Sequence, residues 1–317
     1  MERLEFRHYS MPDDKRRLPV IDASNISKAT PIFEKIAIIG LGLIGGSIAL
    51  ATRERWPSGL VIGVDSKPVL EQAMVRHAID VAADDPIVIA EADLVVLAAP
   101  VCQNIEMLTQ LEKFVKGSAI VTDVGSTKRA IIKSSSELPP RLTFIGGHPL
   151  GGAPRGGISS ARADLFVGRP WLFTPVKDSS DSALKKLGQF VSAFGSKSHV
   201  VTPEEHDRLL AFLSHLPQLT ASTLMHVVGD ESGNEGLGLT GRGLSDTTRL
   251  ASSSSEIWKD ICATNEDEIG QALDVFIREL QTLRESLDSG DSIDRIFNSA
   301  ATWRAVLNER LDQSRSD

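Results

Sequence analysis

The sequence predicts an α/β protein: a doubly wound, mostly parallel sheet over residues 34–200, then an all-helical unit over 201–317. Three observations predict it. An apolar run, Ile36 to Ile39, breaks into Gly40-Leu41-Gly42-Leu43-Ile44-Gly45. Short apolar runs then alternate with helical stretches to about residue 200. Beyond Pro203 the β runs stop, and apolar residues recur at helical spacing.

Residues 1–33 are polar and charged, with an Asp-Asp-Lys-Arg-Arg run at 13–17 and no sustained period, and are expected to form a loosely ordered extension. In the glycine segment each glycine has its own task. Gly40 permits a tight turn off the strand, Gly42 lets the backbone approach a pyrophosphate, and Gly45 lets helix and strand pack closely, with the anion over the helix N-terminus. This is a Rossmann-like dinucleotide fingerprint. A second strand, Leu60 to Val64, ends at Asp65, about 20 residues on, where a carboxylate accepts hydrogen bonds from a ribose 2′-hydroxyl. An acid there repels a 2′-phosphate, so NAD is expected over NADP; Lys67 close by weakens that preference without reversing it. The expected cofactor-binding residues are Gly40, Gly42, Leu43, Ile44, Gly45 and Asp65, with Ala99 and Pro100 where the strand Leu94 to Ala98 ends.

Further strands are expected at Ala119–Val124, Leu142–Ile145 and Trp171–Phe173, and helices at Val69–His77, Gln103–Val115 and Lys128–Leu138. Such alternation puts ligands at the carboxyl ends of the strands. Ser182–Phe194 reads as helix and Ser198–Val201 as one more short strand, with the domain boundary falling between 175 and 202. Leu209, Leu210, Phe212, Leu213, Leu216 and Leu219 keep helical spacing, as does the run from Ile269 to Leu287; these stripes are core or subunit interface.

Composition narrows the class. With 317 residues, 41% hydrophobic and 24% charged, the chain is long enough for two domains of ordinary globular character. A net charge of -8 argues against nucleic acid or an anionic membrane as partner, since either needs clustered Lys and Arg. Ile36 to Ala51 is shorter than the roughly 20 residues a membrane span requires, and it carries four glycines. Two cysteines, Cys102 and Cys262, make no disulfide framework, and no secretory signal opens the chain, so a cytoplasmic location is expected. No His or Cys pair has zinc-like spacing with a third ligand nearby, so no metal is expected.

A nicotinamide cofactor implies hydride transfer, and hydride leaving a carbon that bears a hydroxyl needs a base for the hydroxyl proton. His148, in Phe144-Ile145-Gly146-Gly147-His148-Pro149, follows an apolar strand and two glycines, where such a base would face the crevice. Ser126, after the strand ending Thr122-Asp123-Val124, either turns its hydroxyl into the same crevice or caps the following helix.

With these segments in view, the chain resembles the prephenate/arogenate dehydrogenase family of tyrosine biosynthesis over residues 35–311. The matching segments are GLGLIGGS at 40–47, DVGSTK at 123–128, GGHP at 146–149, EEHDRLLAFLSHLP at 204–217 and DTTRLASSSSEIWKDI at 246–261. The resemblance implies that His148 accepts the proton of the ring hydroxyl while hydride passes from the same carbon to NAD. The ring carboxylate leaves as carbon dioxide, and aromatisation drives the step. It further implies that Arg249 holds a substrate carboxylate with its planar fork, that Ser126 and Ser214 contact substrate, and that Asp246 and Trp258 shape the pocket rim. Read from residues alone, Arg249 and Asp246 could form an i, i+3 surface pair, Trp258 could be core, and His206 and His215 lean towards structural roles.

The chain departs from the family pattern at the substrate end. Where many members read Met or Ile, Ala, Gly, Thr, Glu after His-Pro, this chain reads Leu150-Gly151-Gly152-Ala153-Pro154. Gln218 stands where many have a histidine that reaches the substrate side chain, and Arg242 interrupts a glycine run. The expected substrate is prephenate, giving 4-hydroxyphenylpyruvate, with arogenate or an amino-substituted analogue as the alternative and a homodimer formed through the helical halves. A 3-hydroxyacid dehydrogenase would place a catalytic Lys on the first interdomain helix, and Glu204 to Ser222 contains none. An NAD-sensing regulator would have no use for His148 and Arg249 meeting across a nicotinamide.

Overall fold

The computed structural model describes residues 30–153, 155–176 and 181–316. Most of the expected extension, residues 1–29, lies outside them, as does Pro154. The last residues assigned to the extension belong to the folded unit. Phe33 is buried, packs edge-on against Phe190 with ring centroids 5.5 Å apart, and has the Lys186 ammonium 4.4 Å from its ring centroid.

The first unit runs β1 (Lys35–Ile39), α1 (Leu43–Arg55), β2 (Leu60–Val64), α2 (Lys67–Val75), β3 (Val81–Ala83), β4 (Leu94–Leu97), α3 (Val101–Phe114), β5 (Ala119–Asp123), α4 (Arg129–Ser135), β6 (Leu142–Pro149), β7 (Pro170–Pro175), α5 (Asp181–Ala193) and β8 (Lys197–Val200). The strands form one sheet in the order β3-β2-β1-β4-β5-β6-β7-β8. All neighbours are parallel except β6 and β7. Period-two alternation explains the two layers. Along β1, Ile36 and Ile38 join a core with side chains of α1, α2 and α5, while Ala37 and Ile39 join one with α3 and α4. Strand order reverses between β1 and β4, which opens a crevice at their carboxyl ends.

Two differences from the sequence reading have simple causes. The three-residue β3 is a half-exposed edge strand, too short to carry a pattern. β6 does not stop at Ile145, because β7 pairs with it antiparallel through Gly147–Phe173 and His148–Leu172. His148 therefore sits inside the strand rather than beyond it.

The helical unit comprises α6 (Pro203–Leu210), a π-helical turn (Ala211–His215), α7 (Leu216–Leu237), α8 (Arg242–Thr247), a 3-10 turn (Arg249–Ser252), α9 (Ser255–Thr264), α10 (Glu266–Glu285) and α11 (Asp291–Ser316). Thr202 caps α6 by accepting from the Glu205 N–H at 3.1 Å. Its own core is small, built on Ala211, Ile261, Ile269 and Ala272. Much of the expected stripe stays exposed, as do Val227 on α7, Ile277 and Leu280 on α10, and Phe297 and Trp303 on α11. Among the described residues no helix is long and apolar enough to cross a membrane.

Candidate active site

A cleft of about 660 Å³ opens at the crevice. One wall is the glycine loop, at Gly42, Leu43 and Ile44, with the turn Ala98–Val101 after β4. The floor includes Val124, Gly125 and Ser126 after β5, and Gly151–Ala153 with Arg155 after β6. The helical unit closes the far side with Ser252–Ser254, Trp258 and Asp260.

The glycines behave as their spacing implies. Gly40 has φ +92°, and a Cβ on it would lie 2.6 Å from the Ala98 backbone carbon. A Cβ on Gly45 would lie 1.9 Å from the Gly40 carbonyl oxygen, so α1 could not seat on β1. Gly42 faces open space. Asp65 at the end of β2 accepts from the Leu41 N–H at 2.7 Å and the Ser66 N–H at 2.6 Å, which ties the acid to the glycine loop. Lys67 lies 3.6 Å from Asp84. Ala99 and Pro100 are pinned by buried Asn104, which accepts from the Ala99 N–H and donates to the Leu97 and Ala99 carbonyls. An open loop, a carboxylate at the second strand and a cleft beyond fit a dinucleotide.

His148 is 9% exposed at the end of β6, outside the cleft lining. Its Nδ1 lies 2.9 Å from Nε2 of His206, whose Nδ1 lies 2.8 Å from an oxygen of Asp207. The Asp207 carboxylate also accepts from the Lys128 and Arg129 N–H groups at 2.7 and 2.9 Å, so a side chain of α6 caps α4. This corrects one of the two roles open to Ser126. The cap comes from 79 residues away, and Ser126 is left half-buried in the cleft wall with no hydrogen bond to the described residues.

Behind the base, Lys128 and Asp123 form an ion pair with both side chains fully buried. Asp123 also accepts from the Gly125 N–H at 2.8 Å and the Gly147 N–H at 3.0 Å, so one carboxylate fixes the backbone beside Ser126 and beside His148. Removing either partner would strand a buried charge. Arg129 continues the network to Asp207, to Asn265 and to Asp267, whose carboxyl it holds down to about 2. Sequence reasoning passed over Asp123, Lys128, Asn104 and Asn265; the one signal was charge at the end of an apolar strand.

Burial pushes His148 well below the usual histidine range, and the electrostatic influence of nearby His206, Lys128 and His215 acts in the same direction. His206 is lowered chiefly by burial against the pull of Asp207, and His215 by burial to about 4. His215 accepts from Asn265 at 3.4 Å and meets Trp258 edge-on, with centroids 6.0 Å apart.

The remaining expected substrate residues divide. Trp258 lines the cleft. Arg249 and Asp246 are exposed and form no ion pair with each other or with other described residues, so the surface-pair alternative fails. Arg249 opens the turn whose last residue, Ser252, does line the cleft. Gln218 is buried, and its amide donates to the Leu250 carbonyl at 2.7 Å and to Ser222 and accepts from Ser253 at 3.1 Å. Two of these three bonds tie Gln218 to the segment Leu250–Ser253 that follows Arg249. Ser214 is half-buried on the π-helical turn and does not line the cleft.

A doubly wound sheet with an open glycine loop, a helical unit closing the cleft and a buried neutral imidazole beside it define an NAD-dependent dehydrogenase. Residues 48–200 match the prephenate dehydrogenase nucleotide-binding domain, and residues 202–299 the prephenate dehydrogenase dimerization domain. The prephenate dehydrogenase of Bacillus subtilis (strain 168) is 34% identical over 284 residues, 86% of this chain and 76% of that protein. The cyclohexadienyl dehydrogenase of Zymomonas mobilis is 32% identical over 283 residues, 87% and 97% of the two chains. Among solved structures, prephenate dehydrogenase from A. aeolicus in complex with hydroxyphenyl propionate and NAD+ superimposes with a TM-score of 0.81 at 26% identity, covering 89% of this chain and 99% of that one. Synechocystis arogenate dehydrogenase superimposes with a TM-score of 0.73 at 29% identity, covering 86% and 99%. The chain belongs to the prephenate dehydrogenase family.

The three histidines make stability depend on pH with a definite sign. Unfolded, each titrates near 6.5; folded, each is held lower, His215 at about 4. Below about pH 6.5 the unfolded chain binds more protons than the folded one, so this stability is complete above about pH 6.5 and is lost as pH falls towards 4. Thermal melts are expected to give a Tm roughly 5–10 °C lower at pH 5 than at pH 7.5. A Tm that stays level or rises on acidification contradicts the buried neutral assignment.

Proposed function

We propose that this chain catalyses the NAD-dependent oxidative decarboxylation of prephenate to 4-hydroxyphenylpyruvate, with His148 as general base. The observation that carries the reading is the buried, neutral His148 at the end of β6, backed by a hydrogen-bonded histidine and carboxylate in a chain of this family. Gly42, Leu43, Ile44, Ala99 and Pro100 hold the dinucleotide, Gly40 and Gly45 shape its loop, and Asp65 takes the ribose. When bound, NAD supplies the hydride acceptor.

His148 removes the ring hydroxyl proton as hydride leaves the same carbon. The bond from the ring to its carboxylate then breaks, carbon dioxide departs, and the electron pair completes the aromatic ring. Ser126 orients the hydroxyl, Arg249 binds a carboxylate, Ser214 contacts the substrate, and Asp246 and Trp258 form the rim. Gln218 serves by holding the Arg249 turn.

Charge in the cleft supports prephenate over arogenate. Among the described lining residues the one carboxylate is Asp260, which accepts from the Cys102 N–H at 3.2 Å. Arg155 lines the same cleft and has no partner among the described residues. A keto acid with two carboxylates suits that balance better than a substrate bearing an ammonium. The exposed apolar faces of α7, α10 and α11 suit a homodimer joined through the helical units. Two free cysteines suit the cytoplasm.

Steady-state rates with prephenate and arogenate, each with NAD and NADP, test the assignment. The expected result is a kcat/KM for prephenate with NAD at least about tenfold above every other pairing; preference for arogenate or for NADP overturns the corresponding half. His148→Ala is expected to lower kcat by about two to four powers of ten with NAD affinity unchanged, and wild-type turnover would remove the base. Arg249→Leu is expected to raise the KM for prephenate by at least about tenfold, far more than it lowers kcat. An unchanged KM would dissociate Arg249 from the substrate.

A further inference from the structure

We propose that His206 is a positioning residue for this reaction: through it the Asp207 carboxylate decides which nitrogen of His148 is free to take the substrate proton. The proposal rests on the reading of His148 as the base.

The protons can be assigned in order from the carboxylate outwards. Asp207 is fully buried and held below the usual carboxylate range, so it is ionised and only accepts. One of its oxygens lies 2.8 Å from Nδ1 of His206, which therefore carries the hydrogen. A neutral His206 then has its lone pair on Nε2, 2.9 Å from Nδ1 of His148. Two lone pairs cannot share that distance, so Nδ1 of His148 carries the donated hydrogen. Nε2 of His148 is left bare, and that is the nitrogen able to accept a proton.

Among the described residues nothing else bonds to Nδ1 of His148. His206 and Asp207 are fully buried, so water does not compete for Nδ1. The carboxylate cannot rotate away, because the Lys128 and Arg129 N–H groups and the Arg129 Nε hold it. The chain of bonds also favours the charged state that catalysis creates. Once His148 is an imidazolium, its Nδ1–H is a charged donor, and such bonds are roughly twice as strong as neutral ones. A histidine packed only for its volume would show neither the alignment nor the buried acceptor behind it.

Two substitutions in the full chain test this. His206→Leu removes the acceptor. His206→Gln keeps a carbonyl for Nδ1 of His148 and an amide hydrogen for Asp207, but cannot carry a proton. At pH 7.5 without substrate, 15N spectra of the histidine-labelled wild type are expected to report hydrogen on Nδ1 of His148 and none on Nε2. In His206→Leu the Nε2–H form is expected to appear, and kcat to fall about a hundredfold with both KM values within about threefold of wild type. His206→Gln is expected to restore the wild-type tautomer and to bring kcat within about tenfold. Hydrogen on Nε2 in the wild type, wild-type turnover in His206→Leu, or a Gln variant as slow as His148→Ala would each overturn the proposal. The spectra need no substrate, so they decide the tautomer even if prephenate is not turned over. Should the Leu variant fail to fold, the wild-type spectrum and the Gln variant still decide.

Discussion

Asp207 is a negative charge with no access to water, and the rest of the site is arranged around its need for donors. A buried carboxylate costs several kcal/mol unless paired and hydrogen-bonded. Here the donors are the N–H groups of Lys128 and Arg129, the Arg129 guanidinium and the His206 ring. The first three belong to the sheet unit and the last to the helical unit, so satisfying one side chain joins the two. Asn265 adds a hydrogen bond to the Asp207 carbonyl at 2.9 Å, bringing in the junction of α9 and α10.

A second buried pair does for the loops what Asp207 does for the units. Asp123, neutralised by Lys128, fixes the backbone at Gly125 and at Gly147, and so spaces Ser126 from His148. Further polar contacts close the cleft: Asp260 with the Cys102 N–H at the start of α3, and Thr127 with Thr264 at 2.7 Å. Directed bonds of this kind fix angle as well as distance. That is what a reaction needing hydride and proton to leave one carbon demands of its enzyme.

How much of this the sequence discloses depends on how local the cause is. The glycine loop was legible because turn, close approach and helix seating each need a missing Cβ within a few residues. The order of strands and helices was legible because burial on both faces leaves unbroken apolar runs, whereas β3, short and half-exposed, leaves no such mark. Phe33 looked like part of a polar tail, since its partner Phe190 is far along the chain. The site was legible as residue types and hidden as contacts. Ser126 had the sequence position of a helix cap, and the cap is Asp207. Gln218 had the position of a substrate ligand, and its amide is bound to Leu250 and Ser253. His206 leaned towards a structural role because nothing in the chain brings it near His148, 58 residues away.

The measurement that reaches the central claim most directly is the turnover of Asp207→Asn. One Asp207 oxygen serves the Lys128 N–H and Nδ1 of His206, and the other serves the Arg129 N–H and Nε. An asparagine keeps the shape, but its amide turned towards Arg129 meets two donors and turned towards His206 only one. The second orientation is therefore favoured, and it points an amide hydrogen at Nδ1 of His206. Every proton along the chain reverses, and the hydrogen of His148 moves to Nε2, where it blocks the base. The expected kcat is lower by about two to four powers of ten with NAD affinity unchanged. A kcat within a few fold of wild type, in a variant that binds NAD normally, would contradict it.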